Sequence, residues 1–278
     1  MWFGNYLPQH KRLFVWKDDF RNWTRLDVDA VIHLAAIAND PSGELDPRLT
    51  WETNALGTME LARTAAKCGV KQFIYASSGS VYGISDVPKV TEEVEPFPLS
   101  DYNKTKIVAE RCVLSYADKM AVQIVRPATV CGWSPRMRLD VVVNQLVSEA
   151  FKGDLVVKTP LAIRPHIHID DMTDLYCWML EHPKVTGIYN AGFENYSVGT
   201  VAETVRALVK SVPLTLSTES TDPRSYRLNS DKLLKAGFKP NYTVEHAIKE
   251  VASRFQMGTL KDTDECHNVR HLKNLLAA

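Results

Sequence analysis

The 278-residue sequence predicts an α/β fold, a doubly wound parallel sheet with a smaller α+β lobe interleaved with it. Three observations lead there. Short apolar, β-branched runs alternate with helical patterns through the first half. Those runs lack polar–apolar alternation, as strands covered on both faces do. After about residue 132 the pattern shifts to shorter strands and amphipathic helices. The expected division is therefore 1–132 for the sheet domain and 133–278 mainly for the lobe, with segments that return to the first domain.

The elements read in order as follows. "RLFVW" (12–16) and "AVIHLAA" (30–36) are strands, and "TWETNALGTMELARTAAKCG" (50–69) is a helix stopped by Gly69. "KQFIYAS" (71–77) is a strand that runs into three serines, Ser77, Ser78 and Ser80. "DYNKTKIVAERCVLSYADKM" (101–120) is a helix with Ser100 or Asp101 as its cap, and "AVQIVRPATV" (121–130) is a strand. Beyond it come the strands "LVVKT" and "RPHIHIDD", a helix over 171–182, the strand "GIYNAGF" (187–193), and amphipathic helices over 197–211 and 243–258.

Composition bounds the function. Apolar residues make up 45% and charged residues 24%, which suits a globular chain with a sizeable core. Lys+Arg and Asp+Glu balance at 33 each, so no net field draws the chain to nucleic acid or an anionic membrane. The five cysteines are odd in number and lack ligand spacing, which points to free thiols in a reducing cytoplasm. No apolar run reaches the ~18 residues of a membrane span.

Tyr102 and Lys106 lie four apart on one helix and so share a face. A fixed ammonium favours phenolate and lowers a tyrosine from its ordinary value of about 10. A Tyr-x-x-x-Lys pair by itself is usually a surface pair. Here a strand ending in hydroxyls precedes it, and Ser78 can serve the same substrate oxygen as Tyr102.

Seven segments in order carry a resemblance: "DVDAVIHLAA", "TNALGTMEL", "SSGSVYG", "YNKTK", "VRPATVCG", "RPHIHIDDM" and "DPRSYRLNSDKL". Together they resemble the extended short-chain dehydrogenase/reductase family, the nucleotide-sugar epimerases, dehydratases and reductases. The resemblance implies a Rossmann-like first domain and an NAD cofactor, with NADP left open. It implies Ser78 as the catalytic hydroxyl, Tyr102 as acid/base and Lys106 as the ribose contact. It places Asp19 and Phe20 beside the adenine, and Leu34, Ala35 and Ala36 along the cofactor. Asn54 supports the site, while Ala76, Pro127 and Thr129 lie near the nicotinamide. Substrate contacts are expected from Ser78, Ser80, Asn144, Arg164, Asp222, Arg224 and Arg227, an arginine fork suiting a diphosphate. A nucleotide-diphosphate sugar is the expected partner, and the helices over 50–69 and 101–120 are expected to form a four-helix homodimer interface.

The residues after Ser78 bear on the reaction. Family members that dehydrate or decarboxylate carry a carboxylate there, and this chain has Gly79 and Ser80. Epimerisation at C4 through a transient ketone is the favoured reaction, and reduction of a 4-keto sugar is the runner-up. The family's first strand and its glycine-rich phosphate loop have no counterpart in the sequence, which predicts weak NAD(H) binding and an uncovered apolar seam. A non-catalytic binding homologue is the alternative class. The His166-x-His168 pair has metal-ligand spacing, but the resemblance accounts for its segment through Arg164, so no metal is expected. "NDPSGELDP" (39–47) is turn chemistry beside the sugar pocket and a candidate for substrate choice. Arg136 and Arg138 read equally as phosphate ligands or solvated cations.

Overall fold

The computed structural model describes residues 7–217 and 225–277. Its strands are, in chain order, β1 (Ala30–His33), β2 (Gln72–Ala76), β3 (Ala121–Pro127), β4 (Thr129–Cys131), β5 (Leu155–Val157), β6 (Ile163–His168), β7 (Gly187–Ala191), β8 (Glu194–Ser197) and β9 (Leu214–Leu216). The α-helices among the described residues are α1 (Asp40–Gly43), α2 (Pro47–Thr50), α3 (Thr58–Cys68), α4 (Asp101–Leu114) and α5 (Val142–Lys152), followed by α6 (Ile169–Glu181), α7 (Val198–Leu208), α8 (Asp231–Lys235), α9 (Val244–Gln256) and α10 (Asn268–Leu276).

The main sheet has the order β1-β2-β3-β7, and every pair is parallel. Its two faces follow from side-chain alternation. Phe73, Tyr75, Val122 and Ile124 meet Leu61, Ala65, Ala109 and Val113 of α3 and α4. Ile74 and Val125 point the other way, toward Leu175 and Met179 of α6. Each large apolar side chain buried in this way contributes roughly 1.5–3 kcal/mol. The lobe has its own core, in which α5, α7 and α9 meet through Val147, Val201, Val205, Ile248 and Val251. Two small sheets, β4-β6-β8 and β5-β9, flank it.

Three expectations are corrected. Residues 12–16 form no strand, and Phe14 and Trp16 are 71% and 76% exposed. A strand needs a neighbour for its N–H and C=O groups, and no described strand pairs with this run. The single strand expected over 121–130 is two. Pro127 has no N–H to extend the ladder, and after Ala128 donates to the Ala191 carbonyl at 2.7 Å the chain turns to pair with β6. Helix α4 ends at Leu114 instead of residue 120, where Ser115 Oγ donates to the Cys112 carbonyl at 2.7 Å and competes with the helical pattern. Its cap is Ser100, whose side chain accepts from the Asn103 N–H.

The turn after β2 is held tightly. Gly83 has φ 64°, and a Cβ there would stand 2.2 Å from the Phe97 carbonyl oxygen, so the "VYG" glycine cannot be replaced without moving backbone. Beneath this turn lies a buried ion pair. Arg126 Nε and Nη2 donate to the two Glu110 carboxylate oxygens at 2.9 and 2.7 Å, and both side chains are under 5% exposed. Ser77 donates to the same carboxylate. Arg126 Nη1 donates to the Tyr82 hydroxyl at 2.7 Å, and that hydroxyl donates to Asn190 Oδ1 at 2.9 Å.

Removing one partner of such a pair strands a buried charge. Arg126→Met is expected to lower stability by roughly 3–5 kcal/mol, and adding Glu110→Leu should recover much of that loss. Urea denaturation of the two single variants and the double variant checks this; additive losses would contradict it.

Candidate active site

The carboxyl ends of β2 and β3 and the start of β4 open onto a cleft of about 880 Å3 between the main sheet and the lobe. Parallel strands leave their ligand crevice at this end, where loops diverge to opposite faces. Ser78, Ser80, Tyr102, Pro127, Thr129, Asn144 and Arg164 all border it.

Ser78 caps the short turn Gly79–Tyr82 directly after β2. Tyr102, Lys106 and Glu110 recur at four-residue steps along α4, and all three are buried. Ser78 and the Tyr102 phenol share a hydrogen bond. Lys106 Nζ donates to the Ala76 carbonyl at 2.7 Å and stands 5.8 Å from the Tyr102 ring centre.

The expected lowering of the tyrosine does not occur in this structure. Burial pushes the Tyr102 phenol up to about 12, and the Asp40 carboxylate adds to the rise. Lys106 does not oppose it, because burial lowers that ammonium to about 7 against the pull of Glu110. Desolvation penalises the charged form of each group, and here it outweighs the attraction that sequence spacing suggested.

Around this pair the loop after β1 is pinned in place. Asn54, in a helical segment of wider i→i+5 turns over Trp51–Gly57, accepts from the Ile37 N–H at 2.8 Å and donates to the Ile37 carbonyl at 3.0 Å. It also donates to Thr105 Oγ1 at 3.3 Å, tying the loop to α4. Asn39 holds φ 75°, a left-handed conformation that costs a side-chain-bearing residue about 1–3 kcal/mol. The strain aims its backbone amide at the Tyr102 phenol. Gly43 follows so closely that a Cβ would lie 3.1 Å from the Tyr102 Cβ. Asp40, Asn103 and Tyr226 are site residues that the sequence reading did not single out, although Asp40 lies in the turn-rich "NDPSGELDP".

The expected substrate residues separate. Arg164 on β6 borders the cleft and is 7% exposed, and Arg136, Arg138 and Lys158 join it. Arg138 donates to Asp140 at 2.8 Å, and Arg136 donates to Asn268 at 2.9 Å. Asn144 does not offer its amide to the cleft. Its Oδ1 accepts from the Gly132 N–H, and Nδ2 donates to the Gly132 and Arg138 carbonyls, so it clamps the loop before α5. Arg227 is exposed and outside the cleft lining, where its neighbour Tyr226 stands instead. Asp222 and Arg224 lie outside the described residues.

Of the expected cofactor residues, Tyr102, Pro127 and Thr129 border the cleft, and the others lie outside its lining. Leu34, Ala35 and Ala36 follow the carboxyl end of β1, with Leu34 56% exposed. Phe20 packs its ring against the edge of His33 at 4.9 Å. The Asp19 carboxylate is held by Arg21 at 2.6 Å, where the sequence reading placed it beside an adenine. The donor set at the inner end fits a ribose: one Lys106 N–H goes to the Ala76 carbonyl, which leaves the ammonium donors for vicinal hydroxyls. Among the described residues no group of three or more His, Cys, Asp or Glu side chains is placed to hold a metal ion. The five cysteines are unpaired.

Comparison with known proteins agrees with this geometry. Residues 17–192 match the NAD dependent epimerase/dehydratase family. The chain belongs to that family. UDP-arabinose 4-epimerase 1 of Arabidopsis thaliana is 29% identical over 213 residues, covering 68% of this chain and 50% of the relative. The UDP-glucose 4-epimerase of Lactobacillus helveticus is 24% identical, covering 77% and 73%. The chain thus spans about half the length of the first curated relatives it matches. The fold is that of solved Rossmann-type family structures. The Thermus thermophilus UDP-glucose 4-epimerase complex with NAD superposes with TM-score 0.70 at 24% identity, over 82% of this chain and 78% of that one. The UDP-N-acetylglucosamine 4-epimerase from Methanobrevibacter ruminantium M1 gives TM-score 0.78 at 20% identity, over 87% and 81%.

Two buried histidines beside the site are expected to make this epimerase/dehydratase-family fold acid-sensitive. Burial lowers His33 to about 3, with Lys106 adding to the shift, and burial lowers His166 to about 4, with Arg164 adding. Their folded pKa values are depressed, so their contribution is complete above the ordinary value of about 6.5 and is lost as pH falls toward 4 and 3. At pH 5 each is expected to cost about 2 kcal/mol relative to pH 7.5. Both His166 ring nitrogens lack hydrogen-bond partners, so His166→Leu should be near neutral at pH 7.5 and should remove its share of the acid loss. Urea titrations at pH 7.5 and 5.0 measure both; an unchanged acid loss in the variant would rule out His166 as a source.

Proposed function

We propose that this protein is an NAD-dependent nucleotide-sugar epimerase acting at C4. The observation that carries the reading is the Ser78–Tyr102 hydroxyl pair at the cleft wall, with Lys106 behind it and no carboxylate at positions 79 and 80. Removing a proton beside a ketone, as dehydration does, needs a base at that point. The Asp40 carboxylate acts on the Tyr102 phenol, and its Oδ1 is already engaged by Ser100 and Asn103. Several curated relatives are themselves named as UDP-sugar 4-epimerases, which supports the same chemistry.

In this reading Tyr102 and Ser78 hold the C4 oxygen of the sugar. NAD, when bound, would supply the acceptor for the C4 hydride. Lys106 would hold the ribose through its remaining N–H groups, and Leu34 to Ala36 would lie along the dinucleotide. Tyr102 rests as the phenol in its buried setting; for the oxidation it must first give up that proton, after which the phenolate would take the C4 hydroxyl proton as hydride leaves and return it as hydride comes back. Arg164, with Arg136 and Arg138, meets the diphosphate, since guanidinium forks suit phosphate oxygens. A cytoplasmic location belongs to the same reading and is favoured by the free thiols. No helix among the described residues is long and apolar enough to cross a membrane.

Incubating the full-length gene product and NAD with UDP-, GDP-, CDP- and dTDP-sugars should yield a C4 epimer without net NADH. Net NADH or NADPH consumption with a 4-keto sugar would assign the protein as a reductase instead. Tyr102→Phe and Ser78→Ala are each expected to lower kcat at least ~100-fold. Retention of full rate in Tyr102→Phe would end the proposal.

We also propose a homodimer through the outer faces of α3 and α4 and the turns leading into α3. Leu56 and Val108 are 52% and 39% exposed there. Sedimentation should give twice the 31.3 kDa chain mass, and Val108→Glu should shift it toward the monomer; a monomeric wild type would contradict this arrangement.

A further inference from the structure

A continuous chain of hydrogen bonds runs from Asp40 to the reacting hydroxyl pair, and its donor directions are forced. Asp40 Oδ1 accepts from Ser100 Oγ at 2.5 Å and from Asn103 Nδ2 at 2.8 Å. The Asn103 side chain is fully buried. A flipped amide would set its oxygen against the carboxylate oxygen, so the carboxylate fixes which end of the amide faces Asp40. Asn103 Oδ1 therefore faces Ser80 Oγ, 2.5 Å away, and an amide oxygen can only accept. That commits the single Ser80 proton to Asn103. Ser78 Oγ and Ser80 Oγ lie 2.7 Å apart, so Ser78 must donate across that gap. Ser78 also accepts from the Ser80 N–H at 3.2 Å. Its proton is thereby spent, and its second lone pair, which meets the Tyr102 phenol in this structure, is what it offers a substrate when the phenol turns to the C4 oxygen.

The polarity selects between two states of a sugar. A hydroxyl at C4 can donate to Ser78 while accepting from Tyr102. A C4 ketone has no proton for Ser78 and meets it lone pair to lone pair. Resting on the epimerase reading above, we propose that Asp40 is a positioning residue: through Asn103 and Ser80 it holds Ser78 as an acceptor, so that the site takes a nucleotide-sugar alcohol in preference to its 4-ketone. The loop carrying Asp40 is built for the task. The left-handed Asn39 precedes it, and the Asn39 side chain accepts from the Ser42 N–H at 2.9 Å to start α1. The short "YNKTK" helix start supplies Asn103 next to Tyr102, so the anchor and the acid/base ride on one helix.

Asp40→Asn tests this directly, because a second amide can present N–H groups to Asn103 and let the whole chain reverse. The probes are the nucleotide sugar that turns over fastest in the panel above and its 4-keto-6-deoxy derivative used as an inhibitor. The expected result is a KM for the alcohol raised about tenfold together with a Ki for the ketone lowered by a similar factor. Ser80→Ala, which frees the Ser78 proton, should move both constants in the same directions. A merely structural role would weaken both ligands together, and either that outcome or no change in a wild type that epimerises would overturn the inference alone. A wild type that turns over no sugar of the panel and binds neither form would overturn the function reading and this inference with it. If Asp40→Asn fails to fold, Ser80→Ala carries the same measurement.

Discussion

The buried pair between Arg126 and Glu110 sets the frame on which the site depends. It joins a central strand to the helix that carries Tyr102 and Lys106, in a region where neither charge can be left alone without a cost of several kcal/mol. Glu110 lies two turns beyond Tyr102 on the same face. Rotating α4 about its axis to expose Tyr102 would therefore pull Glu110 out of its fork. The same carboxylate holds Ser77, so the end of β2 and the start of the serine turn are fixed against the same helix. Tyr82 and Asn190 extend the network to β7, and Asn190 reaches the Val90 and Asn229 carbonyls. One charged pair thus registers four separate parts of the chain.

Burial on this frame also decides the chemistry of the hydroxyls. Tyr102, Lys106 and His33 are all buried, and each is displaced toward its neutral form, the phenol upward and the two bases downward. Charge attraction between Tyr102 and Lys106 is the effect that spacing suggests, yet burial draws Lys106 toward its neutral form, one of its N–H groups goes to the Ala76 carbonyl, and the nitrogen stands 5.0 Å from the ring of Tyr75. What remains at the cleft wall is a neutral donor, Tyr102, beside a neutral serine whose direction is set from Asp40. The strained backbone at Asn39 leads directly into Asp40, whose carboxylate acts on the phenol.

Much of this was legible in the residues. Unbroken apolar runs, helix stops and caps follow local rules, so β1, β2 and α9 lie close to where the pattern placed them, and α4 starts at Asp101 behind its Ser100 cap. The serine–tyrosine–lysine constellation was readable because its members are joined by one strand end and one helix. The run over 12–16 was misread because its β-branched apolar pattern says nothing about whether a neighbour will pair with it. Asn144 was misread for a related reason: polarity near a cleft does not reveal that backbone carbonyls nearby have already claimed the amide.

By itself, then, the sequence determined the periodicities, the turn chemistry and the four-residue spacing along α4, all of which depend on residues close in the chain. Only the tertiary structure decided which way the hydroxyls point. Asp40 and Asn103 are 63 residues apart, and Ser80 and Asn103 are 23 apart. Hydrogen bonds between such positions leave no periodic trace, because their partners are chosen by how strands and helices pack and by the need of every buried polar group to be satisfied.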